Sequence, residues 1–353
     1  MADEHSPPVL GAPFKGLTRE RMQEILERIR SLKVGVIGDG CLDLYWDADM
    51  TISELSRETP HYNMPVARER FAPGAASNAA VNFKLLGCAE VSFCTVIGDD
   101  WRGGLLKEAL RSRGVDGSLM LAVPGCMTPA YCKVIMHGLQ GVRQEAPRID
   151  FTSKDTLTDE VRQQLLTQFD LLAERVDVIG VTDQLEQGVI DPSVRERLRY
   201  WAGQGKRIVV DSRYRIGDYA SVVLKPNEVE ALRWFHGTMK AGVSDAELFK
   251  AGLRLSQQAG SPCCITVGEK GAYWFEDGGI TPVPTSPVAP PVDIVGAGDS
   301  FTAAFLAAYG IGCSGPEAAA FAHLAAAVSV RKLGETGGAT PQEMWARWEE
   351  TTA

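Results

Sequence analysis

The 353-residue sequence has few of the features that mark several large classes of protein. Its longest apolar stretches, at 301–309 and 324–330, are alanine-rich and fall well short of the roughly 20 residues that cross a bilayer. The start carries Asp3, Glu4 and two prolines rather than a basic patch and an apolar run, so it does not read as a secretion signal and a cytoplasmic location is expected. With 45 acidic against 36 basic residues the net charge is -9, which argues against nucleic acid or an anionic membrane as a partner. None of the 8 cysteines forms a C-x-x-C pair, and the 5 histidines show neither H-x-x-x-H nor H-E-x-x-H spacing. Reduced, buried thiols and no dedicated transition-metal site are therefore expected. No G-x-x-x-x-G-K-S/T run occurs, and Gly35, Gly38 and Gly40 have the order G-x-x-G-x-G, so neither a P-loop nor a Rossmann fingerprint is present.

What is there is an ordinary globular composition, 45% hydrophobic and 23% charged, enough for one large α/β domain or two modest ones. Met22, Ile25, Leu26 and Ile29 recur at helical spacing, predicting a helix over 18–32 behind a loose N-terminal tail. KVGVIG at 33–38 reads as a buried first strand of a parallel sheet. Helices are then expected at 77–86, 101–113, 159–174, 192–204, 228–235, 245–259, 299–309, 316–332 and 341–348. Strands are expected at 91–97, 176–181, 207–211, 222–225, 263–267 and 272–275. This alternation predicts a mostly parallel sheet with helices on both faces, in which ligands sit at the carboxyl ends of the strands. Two polar, aromatic segments break the pattern, about 43–72 and 126–151. The first reads as irregular strands outside the main sheet, the second as a hairpin turning at His137-Gly138, and together they suggest a small β lid.

The most informative run is DIVGAGDSFT at 293–302, between a proline-rich loop and an apolar helix. Gly296 and Gly298 let backbone approach an anion, and the N–H groups of Gly296, Ala297, Gly298 and Asp299 are donors at a helix start. Asp299 either caps that helix or acts as a base. Asn227 and Glu230, three apart at a helix start, are either an ordinary capping pair or a hold on water around Mg²⁺. Asp39 and Asp43 flank the end of the first strand, where carboxylates can accept sugar hydroxyls, or Asp43 caps a turn.

The 293–302 run resembles the D-x-x-G-A-G-D signature of the ribokinase-like carbohydrate kinases, the phosphofructokinase B family. GDGCLD at 38–43, PGAASNAAVN at 73–82, KPNEVEA at 225–231 and ITVGEKGAYWF at 265–275 resemble further motifs of that family, covering the chain from about Lys33 to Pro341. Within it, SRETP at 56–60, RID at 148–150 and VSVRKLGETGGATPQE at 328–343 look like the D-glycero-D-manno-heptose 7-phosphate kinases.

The resemblance implies a ribokinase-like three-layer α/β fold over 33–353, following the N-terminal tail and helix of 1–32, and an ATP-dependent sugar kinase with Asp299 as general base. It implies a phosphate cradle at Gly296, Ala297 and Gly298, and a sugar or sugar-phosphate site with Asp39, Asp43, Gly74, Ala75, Asn78, Arg148 and Asp183. Nucleotide contacts are implied for Lys225, Asn227, Thr266, Gly268, Gly271 and His323, with Mg²⁺ held through water by Asn227 and Glu230. Asp293 is a candidate for a monovalent cation such as K⁺. Arg148 and Arg213 are candidates to bind an existing sugar phosphate, and a second copy could cover the lid to form a homodimer. Three runs depart from the heptose pattern: Ala75 stands where it has glycine, and Thr182-Asp183-Gln184 and Asp211-Ser212-Arg213 replace its usual residues.

Overall fold

Thr18 starts the fold by accepting the Arg21 N–H at the head of α1 (Arg19–Ile29), which buries Met22, Ile25, Leu26 and Ile29. The computed structural model describes residue 14 and residues 16–152, 157–238, 244–334 and 337–352; the expected tail lies almost wholly outside them. After α1 come β1 (Lys33–Gly38), β2 (Gly40–Asp49), β3 (Val66–Ala75), α2 (Ala76–Leu85), β4 (Glu90–Gly98), α3 (Trp101–Ser112) and β5 (Asp116–Val123). Then follow β6 (Ala130–His137), β7 (Arg143–Glu145), β8 (Ile149–Phe151), α4 (Asp159–Arg175), β9 (Val178–Asp183), α5 (Pro192–Gly203), β10 (Arg207–Ser212) and β11 (Val223–Leu224). The chain closes with α6 (Glu228–His236), α7 (Asp245–Ala259), β12 (Cys263–Thr266), β13 (Ala272–Glu276), β14 (Gly279–Val283), α8 (Ala297–Gly310), α9 (Gly315–Ser329) and α10 (Pro341–Thr352).

Nine strands form the main sheet in the order β14-β13-β12-β11-β10-β9-β1-β4-β5. Pairing is parallel from β5 across to β12 and antiparallel at β12-β13 and β13-β14. Alternate side chains of β1 serve opposite faces, as a buried parallel strand requires. Val34 and Val36 join a core with α1, α2, α8 and α9, whereas Ile37 joins a second core with Phe169 of α4, Leu198 of α5 and Leu248 of α7. The three layers anticipated from the alternation are therefore present. All eight cysteines are free thiols, and all but Cys126 are buried.

The two strands that sequence periodicity did not reveal, β5 and β14, are the two edges of this sheet. An edge strand is only half covered, so its apolar signal is diluted, and it tolerates proline, as Pro282 in β14 illustrates.

A second sheet has the order β3-β2-β6-β7, with β8 also on β6. Residues 43–72 are more regular than expected, since β2 and β3 are ten-residue strands in antiparallel register from Gly40↔Ala75 outward. Leu42 and Leu44 face the first core, which leaves Asp43 and Tyr45 on the opposite face of the sheet. The return from β6 is split into β7 and β8 rather than one strand.

Candidate active site

The switch from the main sheet to the second one occurs at Asp39, which the fold itself consumes. Its N–H donates to the Thr182 carbonyl, and its carboxylate accepts the N–H groups of Gln184, Leu185 and Val189, each at 2.8 Å. Burial and the neighbouring Asp183 push its pKa up to about 6 against the pull of those three donors. Asp183 is fully buried and also engaged, by the Ser212 hydroxyl at 2.6 Å, the Tyr219 hydroxyl at 2.8 Å and the Arg215 guanidinium. Asp39 and Asp183, two of the seven residues suggested for the sugar site, thus organise the loop after β9 from within, and their carboxylates are already satisfied.

Asp43 differs. Among the described residues its carboxylate has no hydrogen-bond partner, and it lies so close to Gly74 that a Cβ there would come within 2.6 Å of Oδ1. Burial pushes its pKa up to about 6, with Lys133 and Arg148 opposing. Arg148 packs over the ring of Tyr131, the register partner of Asp43 on β6, at 4.4 Å, and donates to Asp150 at 2.6 and 2.7 Å. Arg213 is exposed and donates to the Gln184 side chain at 3.4 Å.

Ala75 takes φ 48° and ψ -130° where β3 turns directly into α2, a backbone region that suits glycine. The turn delivers Asn78 to the first turn of α2, buried, with its Nδ2 donating to Asp299 Oδ2 at 2.7 Å.

α8 begins with Gly296 at φ 80° as its N-cap, and no side chain caps it. Asp299 is therefore the third residue of the helix and not its cap, which removes the capping alternative. The Ala297 N–H is returned to Ile294 and Ser300 makes the first helical bond to Gly296, leaving the Gly298 and Asp299 N–H groups without a backbone acceptor among the described residues. A Cβ on Gly298 would meet nothing within 4 Å, so this helix start opens onto free space. Burial, Asp211 and Asp43 push the Asp299 carboxyl up to about 7, while Asn78 and Lys225 pull it down.

Lys225 is buried and paired with Asp211 at 2.7 Å; burial pulls its pKa down, but Asp211, Glu230 and Asp299 outweigh this and raise it. Asn227 and Glu230 form a complete capping box for α6, with Asn227 Oδ1 accepting the Glu230 N–H at 2.8 Å and Glu230 Oε2 accepting the Asn227 N–H at 2.9 Å. The capping alternative weighed for this pair is realised, and one Glu230 oxygen remains outside the box. Thr266 bridges to Asn227, and Gly268 and Gly271 both adopt positive φ in the β12–β13 turn. His323 is buried against Phe301, its Nε2 3.1 Å from the Val283 carbonyl, and burial lowers its pKa to about 4. Asp293 knits two loops, accepting the Val295 and Gly334 N–H groups at 3.0 Å each.

The residues brought together are thus Asp43, Asn78, Lys225 and Asp299, around the open start of α8. Asp211 and Thr302 also belong to this cluster, although sequence reasoning did not assign them roles. An acidic residue ending an apolar strand at the carboxyl edge of the sheet was the available signal for Asp211.

A half-open cradle of helix N–H groups beside a half-buried carboxylate, at the carboxyl edge of a parallel sheet, is the arrangement of a phosphotransferase. Residues 43–342 match the pfkB family carbohydrate kinase pattern, and the chain belongs to that family. The chain is 33% identical to bifunctional protein HldE of Geotalea uraniireducens over 344 residues, covering 93% of this chain and 65% of that protein. It is 32% identical to HldE of Trichlorobacter lovleyi with the same coverage, so it spans about two thirds of the length of these relatives. Among solved structures, Arabidopsis thaliana ribokinase complexed with ribose and ATP aligns with TM-score 0.65 and 20% identity over 90% of this chain and 98% of that one. Escherichia coli phosphofructokinase-2 in complex with substrates and products aligns with TM-score 0.67 and 18% identity over 91% and 100%. These neighbours show a ribokinase-like fold.

Proposed function

We propose that this carbohydrate kinase transfers the γ-phosphoryl group of ATP to the anomeric hydroxyl of D-glycero-D-manno-heptose 7-phosphate, with Asp299 as general base. The observation that carries this reading is the Asp299 carboxylate, aimed by Asn78 and set beside two N–H donors at the start of α8 that have no backbone acceptor among the described residues. Asp299 takes the hydroxyl proton as the acceptor oxygen attacks phosphorus, the bond from phosphorus to the leaving ADP oxygen breaks, and the donors of Gly298 and Asp299 stabilise the charge on the transferring group.

Gly298 leaves room for a phosphate that a side chain would fill, so the helix start fits the nucleotide. Lys225 lies behind it as a fixed positive charge, and Thr266, Gly268, Gly271 and His323 mark the side for the base. Glu230 keeps one carboxylate oxygen outside the capping box, which would suit Mg²⁺ held through water near Asn227 and Glu230. Mg²⁺ would supply charge neutralisation at the phosphates. The hydrogen bonds to Asp293 tie up its carboxylate oxygens, so a K⁺ ion there would draw mainly on loop carbonyls.

On the acceptor side, Asp43 offers an unpaired carboxylate to sugar hydroxyls, and Arg148 and Arg213 offer positive charge to the 7-phosphate. The HldE relatives support a heptose; Ala75 favours a second reading, a different sugar in the same site, because its methyl group stands where backbone would meet the acceptor. The second sheet serves as a lid, and the exposed Ile52, Leu55, Tyr62 and Met64 of the β2–β3 connection, with Val66 at the start of β3, suit a homodimer on that side. No described helix is long and apolar enough to cross a membrane, and a cytoplasmic enzyme is proposed. A coupled ADP-release screen over heptose 7-phosphate, hexoses, pentoses, sugar acids and nucleosides tests the reading. Turnover highest with heptose 7-phosphate supports it, turnover highest with another acceptor selects the second reading, and nucleotide and sugar binding without ADP release defeats both.

A further inference from the structure

Asp211 lies at the carboxyl end of β10, almost fully buried. One of its oxygens, Oδ2, is 2.7 Å from the Lys225 ammonium and 3.1 Å from the Thr302 hydroxyl. Lys225 follows β11, and Thr302 sits in α8 three residues after Asp299, its hydroxyl also 2.9 Å from the Gly298 carbonyl. A single carboxylate oxygen therefore joins the ends of two sheet strands to α8 at Thr302, one turn after the N–H cradle and Asp299.

A buried ion pair is a poor way to gain stability, because desolvation of both charges offsets most of their attraction. What such a pair can provide is a fixed mutual position. Thr302 can give its one proton either to Asp211 or back to the Gly298 carbonyl, and Asp211 supplies a charged acceptor that favours the first. Without that acceptor the hydroxyl bonds within its own helix, and the hydrogen-bonded link from α8 through Asp211 to Lys225 is lost.

We propose that Asp211 is a positioning residue of the phosphoryl-transfer centre, using one oxygen to hold Lys225 and, through Thr302, the N-terminal part of α8 in a single arrangement. This inference rests on the reading of Asp299 as the base. The groups that face Asp299 are Asp211 from β10, Lys225 after β11, Asp43 from β2 and Asn78 from α2. Removing the Asp211 charge takes one anion away from Asp299 and releases Lys225 to act on it more strongly; both changes favour ionised Asp299.

The test uses the whole protein with its best acceptor and compares Asp211→Asn, Thr302→Val, the double variant and Asp299→Asn. Asp211→Asn keeps the shape and an acceptor oxygen, and Thr302→Val removes only the hydroxyl. The expected results are a kcat about tenfold lower for Asp211→Asn, with the acid limb of its pH profile moved down by about one unit. Thr302→Val should lower kcat several-fold with no displacement of the limb, since no charge changes. The double variant should lose less than the product of the two, because both act on one contact. If Asp211→Asn lowers only the melting temperature, with kcat within twofold of the parent and an unmoved limb, Asp211 is a structural ion pair and the proposal is overturned. If that variant does not fold, Thr302→Val decides: a parental kcat overturns the proposal. Absence of ADP formation by the parent, or a parental rate for Asp299→Asn, overturns the underlying reading instead and removes this inference with it.

Discussion

Asn78 Nδ2 donates to Asp299 Oδ2 across 2.7 Å, so the first turn of α2 orients a carboxylate in the first turn of α8. The hydrogen bond favours the ionised carboxylate and opposes the burial that pushes its pKa up to about 7. Asn78→Ala removes that opposition. Its kcat profile should keep its shape with the acid limb displaced to higher pH, opposite to the displacement expected for Asp211→Asn. A limb that stays in place would mean that Asn78 only packs.

Asp299→Asn should lower kcat by roughly 10²–10⁴-fold, the usual contribution of a general base. Stability should move the other way. The folded-state pKa, about 7, lies above the ordinary 3.8, so this group's contribution is fully present below pH 3.8 and is lost as pH rises through 7. The amide has no charge to desolvate. Melting temperatures of parent and variant should therefore be closest near pH 4, with the variant gaining relative stability toward pH 8. A variant less stable than the parent at pH 8 would contradict the assigned electrostatics.

The buried helices and inner strands were legible because their periodicity is set by contact on both sheet faces. The edges β5 and β14 were not, because half-covered strands lose that pattern. At the site, DIVGAGDSFT located the helix start and its donors, but not the position of Asp299 as third residue of the helix, which follows from Gly296 taking the left-handed turn. Spacing also could not separate carboxylates used by the fold from those facing the site. Asp39 and Asp43 stand four apart, yet three loop N–H groups bind Asp39 while Asp43 has no hydrogen-bond partner among the described residues, and the path of residues 184–189 decides between them. Lys225, Asp211 and Thr302 meet from distant parts of the chain, a coincidence that no local pattern records.

Ala75 holds a positive φ at a cost of about 1–3 kcal/mol, and glycine relieves it at a smaller cost in unfolded-state entropy. Ala75→Gly should therefore raise the melting temperature. It should also change the acceptor KM, because the deleted methyl group borders the proposed sugar site. Calorimetry and acceptor titration check the two effects separately. A lower melting temperature would show that the turn accommodates alanine, and an unchanged acceptor preference would remove Ala75 from any account of specificity.

Glu230 has two candidate duties that one substitution separates. In the capping box it accepts the Asn227 N–H through Oε2, and glutamine at the same position can do so equally well. Around Mg²⁺ it would act through charge, which glutamine lacks. Glu230→Gln should thus leave the melting temperature close to that of the parent while raising several-fold the Mg²⁺ concentration that gives half-maximal rate, with ATP held saturating. Glu230→Ala breaks the box as well and should lose stability by about 1 kcal/mol, the usual worth of a cap. If Glu230→Gln keeps both the parental melting temperature and the parental Mg²⁺ requirement, the pair serves α6 alone, and the metal must be held by the phosphates, water and other residues of the site.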